Sequence, residues 1–435
     1  MSAPSEQPPP RIMTVRQATF YFALVYFSQG ICQIATLLNQ PLRMYLQKVV
    51  HYNAQQVSQF IFITTIPWMI KPAYGLLSDF FPIFGYRRKS YLLLLNLVAA
   101  LAFALVAGIT TTPGLLIMLS MTGVGVAASD VVVDAMMVRA GQQTGRTRLF
   151  QSAQWFAISL AAILAGLLGA AICHRFAEQP ASALRTAALI AMGVPCVVAV
   201  LTWFLVTDEP AQINLPEFIA TGKALLGAFA SGRLWLVVAF LFLTKFNPGI
   251  QTALYTHLEK RVGLSPAYLA ILDTAYNVGQ VLGSLLFMGL LSGRVSTRVS
   301  LAIGLLVGAA GLLPMLLIKG KTSATIAYGT WGTTDMIANL AMLTIAAEAC
   351  PRRVEAVVFA ALMSVINLSM SWSDVVGSKL YENAGPLQHR MSPLIVASAI
   401  LTAAGLLLVP VLPRRDDEQQ EPARPTDPAL PAAAP

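Results

Sequence analysis

Asp130 and Asp134 stand four residues apart in an otherwise apolar run, so on a helix their carboxylates share one face. Two carboxylates that close resist being ionised together, which suits one of them to taking up and releasing a proton. The alternative is permanent pairing with Arg139, Arg146 or Arg148 as a latch, and the sequence leaves both open. Asp335 lies deeper in a second apolar run, placed either for the same coupling role or for a hydrogen bond between helices. Lys71 and Lys245 read as the deep cations, able to bind an anionic substrate or to neutralise an internal carboxylate. Lys245 precedes Asn247-Pro248-Gly249, where a proline removes a backbone hydrogen bond and carbonyls are expected to be freed toward a cavity. Gln29, Gln33 and Asn39 add a polar stripe, joined by Gln151, Gln154, Trp155, Tyr276, Asn277 and Gln280. Amides for ring edges and Trp155 or Tyr276 for stacking would suit a planar heteroaromatic ligand; hydrogen bonding between helices is the other reading. Asp273 and Asp374 read as gate or packing contacts. No nucleophile-base pair, phosphate loop or metal-ligand spacing is visible, and the four cysteines are scattered, so the expectation is no enzyme, no cofactor, no metal and no disulfide.

These groups need elements to hold them, and composition names the solvent. Only 11% of the 435 residues are charged and 56% are hydrophobic, far from the roughly 25% charged content of soluble domains. Twelve stretches approach the about 20 apolar residues that span a bilayer, which predicts an all-α membrane protein with twelve transmembrane helices. The predicted organisation is a disordered N-terminus (1–17), a six-helix bundle (18–206), a central cytoplasmic linker (207–232), a second six-helix bundle (233–412) and a disordered tail (413–435). Residues 1–10 are Pro-rich and polar, so no signal peptide is expected and the first helix starts insertion. The net charge of +9 could point to nucleic acid, but its distribution reads as topology. Basic residues concentrate in alternate loops, around Arg87, Arg88 and Lys89, around Arg146 and Arg148, and around Arg352 and Arg353. With these loops inside, both termini are cytoplasmic and the protein is a multi-pass component of the cell (inner) membrane. Arg43 is assigned to an outer loop on the same scheme.

Three echoes relate the halves. Gly75-Leu-Leu-Ser-Asp79 reappears as Gly289-Leu-Leu-Ser-Gly293, without the acid. Asp130, Asp134 and Arg148 match Asp335, Asn339 and Arg353 in spacing, and Phe27-Ser-Gln-Gly30-Ile31 matches Phe246-Asn-Pro-Gly249-Ile250. Their order favours parallel repeats about an axis along the membrane normal. The third, sixth, ninth and twelfth stretches carry no charge in their cores, whereas the buried ionisable residues occupy the others.

Between the second and third stretches lies Lys71-Pro72-x-Tyr74-Gly75-Leu76-x-Ser78-Asp79, followed by Phe84-Gly85-Tyr86-Arg87-Arg88-Lys89-Ser90-Tyr91. A small residue one turn before an acid allows close helix approach, and Asp79 can pair with a cation or accept N–H groups from a neighbouring helix start. The motif resembles the signature loop of major facilitator transporters and, in this longer wording, the folate-biopterin transporter family. Supporting stretches are Ser129-Asp130-Val-Val-Val-Asp134-Ala135-Met136, Gly263-Leu264-Ser265-Pro266, and Cys350-Pro351-Arg-Arg-Val354-Glu355-Ala356 leading to Asn367. Arg353 departs from the family pattern, which commonly has glycine and few basic residues there. The resemblance implies the major facilitator fold, with cavity-lining first, fourth, seventh and tenth helices and a gating motif of Gly75, Asp79, Arg87, Arg88, Arg353 and Glu355. It implies proton-coupled movement of a folate- or pterin-like organic anion; the expected partners are that substrate, protons and the bilayer, with no nucleic acid, and the expected state is a monomer. The competing readings are a permease for another organic anion, such as a muropeptide or sugar acid, and a non-transporting membrane sensor.

Overall fold

The computed structural model describes residues 13–412 apart from 110, 145, 209, 214, 249, 292–293 and 351–354. Among the described residues the chain is helical, with only two isolated β-bridges, Ile83 with Tyr86 and Tyr86 with Pro210. In chain order the helices are α1 (Val15–Cys32), α2 (Asn39–Lys48), α3 (Ala54–Met69), α4 (Lys71–Phe80), α5 (Lys89–Val106), α6 (Thr112–Thr144), α7 (Thr147–Arg175) and α8 (Pro180–Leu205). They continue with α9 (Leu215–Phe229), α10 (Gly232–Lys245), α11 (Thr252–His257), α12 (Pro266–Leu286), α13 (Thr297–Ala310), α14 (Lys321–Glu348), α15 (Glu355–Asn383) and α16 (Ser392–Ala404).

Nine helical segments among the described residues are long and apolar enough to cross a membrane, ten if the bent pair α9 and α10 is one span. Twelve were expected. The first expected span is α1, which carries Arg16, Gln17, Ser28 and Gln29, and the tenth is α14, which carries Asp335 and Asn339. The seventh is interrupted between Lys245 and Thr252. The polar residues and the break that give these helices chemical interest are what lower their apolarity. The expected tails fall outside the described residues, except that α1 begins at Val15 rather than 18. Thr14 caps it: its hydroxyl accepts from the Gln17 N–H while the Gln17 side chain accepts from the Thr14 N–H. Asn53 and Gln56 start α3 by the same reciprocal arrangement. The linker is also more ordered than an open loop, since it contains α9.

Helix breaks fall where proline requires them. Pro67 lies inside α3, Pro72 opens α4, and Ile70 between them leaves helical geometry, so Lys71 sits at the start of a new helix in the middle of one apolar segment, Ala54–Phe80. Buried apolar residues sort by half. Tyr21, Phe22, Tyr26, Val133 and Phe150 form one cluster and Leu37, Leu42, Phe103 and Leu119 another; Phe240, Leu305, Met342 and Leu362 form a third. The fourth, around Leu254, Leu272, Tyr328 and Leu394, draws Ala54 across from the first half. Leu97, Leu101, Ile117, Leu167, Val200, Leu306 and Ile400 remain exposed, which is the expected outer surface of a bundle solvated by lipid. One seam depends on glycine. A Cβ at Gly279 would sit 2.2 Å from the Gly329 carbonyl oxygen, and one at Gly332 2.0 Å from that of Tyr276. Their absence lets α12 and α14 touch backbone to backbone, which brings Tyr276 to Asp335.

Candidate functional site

Each half holds one lysine beside a helix break, Lys245 buried and Lys71 partly so, paired with an aspartate on another helix. In the first half Lys71 Nζ lies 2.7 Å from Asp130 Oδ2 and 4.7 Å from the centre of the Trp68 ring. Lys71 opens α4, where the helix dipole opposes a cation, so the Asp130 carboxylate offsets both burial and dipole. One turn along α6, Asp134 has no lysine of its own. The buried Tyr26 hydroxyl on α1 donates to Asp134 Oδ1, and Gln154 Nε2 on α7 reaches the same oxygen at 3.4 Å.

In the second half Lys245 ends α10, where the dipole favours a cation, and its Nζ lies 3.3 Å from Asp335 Oδ1. The other carboxylate oxygen accepts from the Tyr276 hydroxyl at 2.8 Å, and Gln280 Nε2 donates to that hydroxyl at 2.9 Å. The Tyr276 and Trp331 rings lie 4.4 Å apart, forming a flat aromatic wall beside the ion pair. The break after Lys245 does occur, but its carbonyl does not open to a cavity: Ser398 Oγ on α16 donates to the Pro248 carbonyl at 3.0 Å, and Thr402 donates to the Asn247 side chain. Gly249 lies outside the described residues.

The remaining residues of the polar stripe separate. Gln29 is buried and its Oε1 has no hydrogen-bond partner among the described residues, Gln33 caps the end of α1, and Trp155 is exposed. Asn39 has a different task. It joins Gln40 in donating to Asp273 Oδ2, at 3.0 and 3.1 Å, while the Tyr255 hydroxyl donates to Oδ1.

That contact belongs to a cluster containing a third deep cation. Arg43, expected in an outer loop, is only 4% exposed. Its Nε donates to Asn39 Oδ1 at 2.9 Å, its Nη1 to Thr252 Oγ1 at 2.6 Å, and its guanidinium lies 4.8 Å from the centre of the Tyr255 ring. Asp374 on α15 accepts from the Thr252 N–H and hydroxyl at 2.8 and 2.7 Å. These bonds join the two halves at the Arg43 end of the bundle, together with Gln47 to Thr256 and Asn383 to Gln55. Arg43 escaped sequence reasoning because the chain re-enters a helix at Asn39 after a short non-helical stretch. The i to i+4 spacing of Asn39 and Arg43 was the available signal.

The Asp79 end is built around the loop motif. Arg88 pairs with Asp79 and also donates to Ser78 Oγ at 3.2 Å, so the acid takes the cation of its own loop. The start of α5 is capped instead by Asp208, whose Oδ2 accepts from the N–H groups of Arg88 at 2.6 Å and Lys89 at 3.1 Å. Asp208 was not anticipated, since nothing in its own neighbourhood announces a cap for a helix about 120 residues away. Phe84 and Gly85 turn the loop with φ of 52° and 80°, the paired positive values of a tight two-residue turn. Tyr91 closes it by donating to the Phe81 carbonyl at 2.8 Å. The Arg87 Nε is buried without a partner among the described residues. Gly75 faces α6 across the motif. A Cβ there would meet only Val131 at 3.5 Å, an ordinary contact, so helix approach at this point does not demand glycine. Arg353 and the Glu355 side chain lie outside the described residues, although α15 starts at Glu355.

Apolar helices of membrane-spanning length around these ion pairs make a multi-pass membrane protein, and solved structures of major facilitator type share its fold. A D-xylose-proton symporter superimposes with a TM-score of 0.71 at 14% identity, covering 92% of this chain and 98% of the other. The nucleoside transporter NupG does so at 0.67 and 12%, covering 91% and 98%. The chain belongs to the BT1 family, whose pattern matches residues 29–427. Among curated relatives, the folate-biopterin transporter of Synechocystis sp. is 27% identical over 429 residues, 93% of this chain and 84% of its own. Folate transporter 2 of Plasmodium falciparum is 23% identical over 428 residues, 90% and 87% of the two chains.

Proposed function

We propose that the protein is a secondary transporter that moves a folate- or pterin-like organic anion across the cell membrane, coupled to protons, by rocking of its two six-helix bundles (18–206 and 233–412). The observation that carries this reading is the pair of buried lysine-aspartate contacts, one per half, with the unpaired carboxylate of Asp134 beside the first. Each lysine can exchange its aspartate for a substrate carboxylate when the displaced aspartate takes up a proton, so that no bare charge is left in a poor dielectric, and the Tyr276 and Trp331 rings offer a flat surface to a heteroaromatic ring. Asp134 can accept a proton without breaking an ion pair, because its partners are neutral donors. The hydrogen bonds around Arg43 favour reading this conformation as closed at that end, with Asp79 and the termini on the cytoplasmic side, in a protein acting as a monomer. The names of the relatives support folates and biopterins as the first substrates to try.

The test is uptake of labelled folic acid, 5-formyltetrahydrofolate and biopterin into proteoliposomes, with and without an inward proton gradient, beside a panel of other organic acids. Gradient-stimulated accumulation of a folate or pterin is expected. Accumulation of another organic acid alone would move the substrate assignment, and binding without accumulation would make the chain a sensor.

A further inference from the structure

The linker helix α9 has two apolar faces, and only one of them is used. Phe218 packs edge to face against Phe80 and Phe81, with ring centres 5.6 and 5.3 Å away, and Leu225 and Phe229 pack on the second-half core. Leu215, Ile219 and Leu226 fall on one stripe at helical spacing and remain 52%, 48% and 74% exposed. A surface helix in water would carry charge on such a stripe. Here Lys223 lies to one side of it, and α9 holds no other basic residue.

Two independent features place this stripe at the edge of the bilayer. The first is direction: α9 meets α10 at 73°, and spanning helices tilt about 20° from the membrane normal, so α9 runs near the membrane plane. The second is depth. Trp235, one turn into α10, is 55% exposed and donates from Nε1 to the Phe229 carbonyl at the end of α9, at 2.8 Å. Trp203, at the end of α8, is also exposed and lies beneath the Lys89 ammonium, 5.2 Å from its ring centre. Exposed tryptophans at the ends of spanning helices, one of them beneath a cation, mark the headgroup level. The occupant that fits an uncharged stripe at this level is lipid.

We propose that α9 is an interfacial helix whose Leu215, Ile219 and Leu226 stripe is immersed in the boundary between headgroups and acyl chains. An apolar face of this kind sinks about 5–10 Å into that boundary. Its adjoining face, through Phe218, then ties the bilayer surface to the residues that directly follow Asp79.

Depth-dependent quenching tests the placement in the full-length protein reconstituted in phosphatidylcholine vesicles. Cys196 is the exposed native thiol and is replaced by serine; Ile219→Cys, Leu226→Cys and Lys223→Cys are then labelled singly with bimane. Nitroxide lipids carry the quencher either near the carbonyl end of the acyl chain or near its terminus. The expected result is strong loss of fluorescence at 219 and 226 from the shallow quencher, weaker loss from the deep one, and little loss at 223. Absence of lipid quenching at 219 and 226, equal quenching at all three positions, or stronger quenching from the deep label would overturn the proposal. Two stripe positions are read independently, so poor folding of one variant leaves the other decisive.

Discussion

The two buried clusters are built on one plan with one deletion. In the first half Lys71 holds Asp130, and a turn away Asp134 is held by Tyr26 and Gln154; in the second Lys245 holds Asp335, whose other oxygen is held by Tyr276 and Gln280. The counterpart of Asp134 is Asn339. The first cluster therefore contains one carboxylate more than it has lysines, whereas the second is balanced. A balanced pair can stay ionised inside a membrane; a surplus carboxylate must be stabilised by neutral donors or carry a proton. The difference teaches that the two halves share a lysine-aspartate pair and that the first adds a carboxylate held only by neutral donors, the group to which the proposed coupling assigns the proton.

Erasing the difference should have the largest effect. Asp134→Asn makes the first cluster resemble the second, so proton-driven accumulation should be abolished while counterflow of preloaded substrate persists, because exchange needs no net proton release. Paired uptake and counterflow in proteoliposomes measure this. Gradient-driven uptake at the wild-type level would remove Asp134 from coupling.

Breaking the feature the clusters share should come next. Lys245→Ala leaves a half-buried Asp335 without its cation, and the loss stays below the about 3–5 kcal/mol of a fully buried ion pair. A clear fall in thermal stability is expected, partly restored in Lys245→Ala with Asp335→Ala, together with weaker binding of anionic folates than of neutral pterins. Thermal-shift titration with both ligand classes reads the two effects, and equal losses for both classes would make Lys245 a packing cation only.

The tyrosines should give the smallest effect and the sharpest contrast. Each donates to a carboxylate, a bond worth about 1.5–3 kcal/mol. Tyr26→Phe should displace the pH profile of uptake, since Tyr26 bonds the surplus carboxylate; Tyr276→Phe should change affinity and leave the profile in place. Identical profiles in the two variants would erase the functional distinction between the clusters.

Much of this was legible beforehand because burying charge in an apolar chain is costly. Lys71, Asp130, Lys245 and Asp335 stand out against their surroundings, and the Asp79 motif contains its own partner, Arg88, within one loop. The caps at Thr14 and Asn53 are equally local, with donor and acceptor three residues apart, yet reading residues 1–17 as disordered misses the first. Legibility failed where a residue's neighbourhood is made by distant chain. Arg43 looked like a loop cation and is a buried tie between halves, Asp208 caps a helix it adjoins only in space, and the Pro248 carbonyl turns to Ser398 rather than to a cavity.

The order of residues alone sets the solvent, the family and the set of groups that must find partners, because transfer free energy depends on residue type and run length and on nothing remote. Which lysine meets which aspartate is another matter. Lys71 could have been satisfied by Asp130, Asp134 or Asp374 on composition and spacing alone, and the choice follows from the proline break that aims it and the packing of α4 on α6. The same holds for the surplus carboxylate: two acids one turn apart are nearly equivalent as sequence, and only the positions of Lys71 and Tyr26 on other helices make one an ion pair and leave the other to neutral donors.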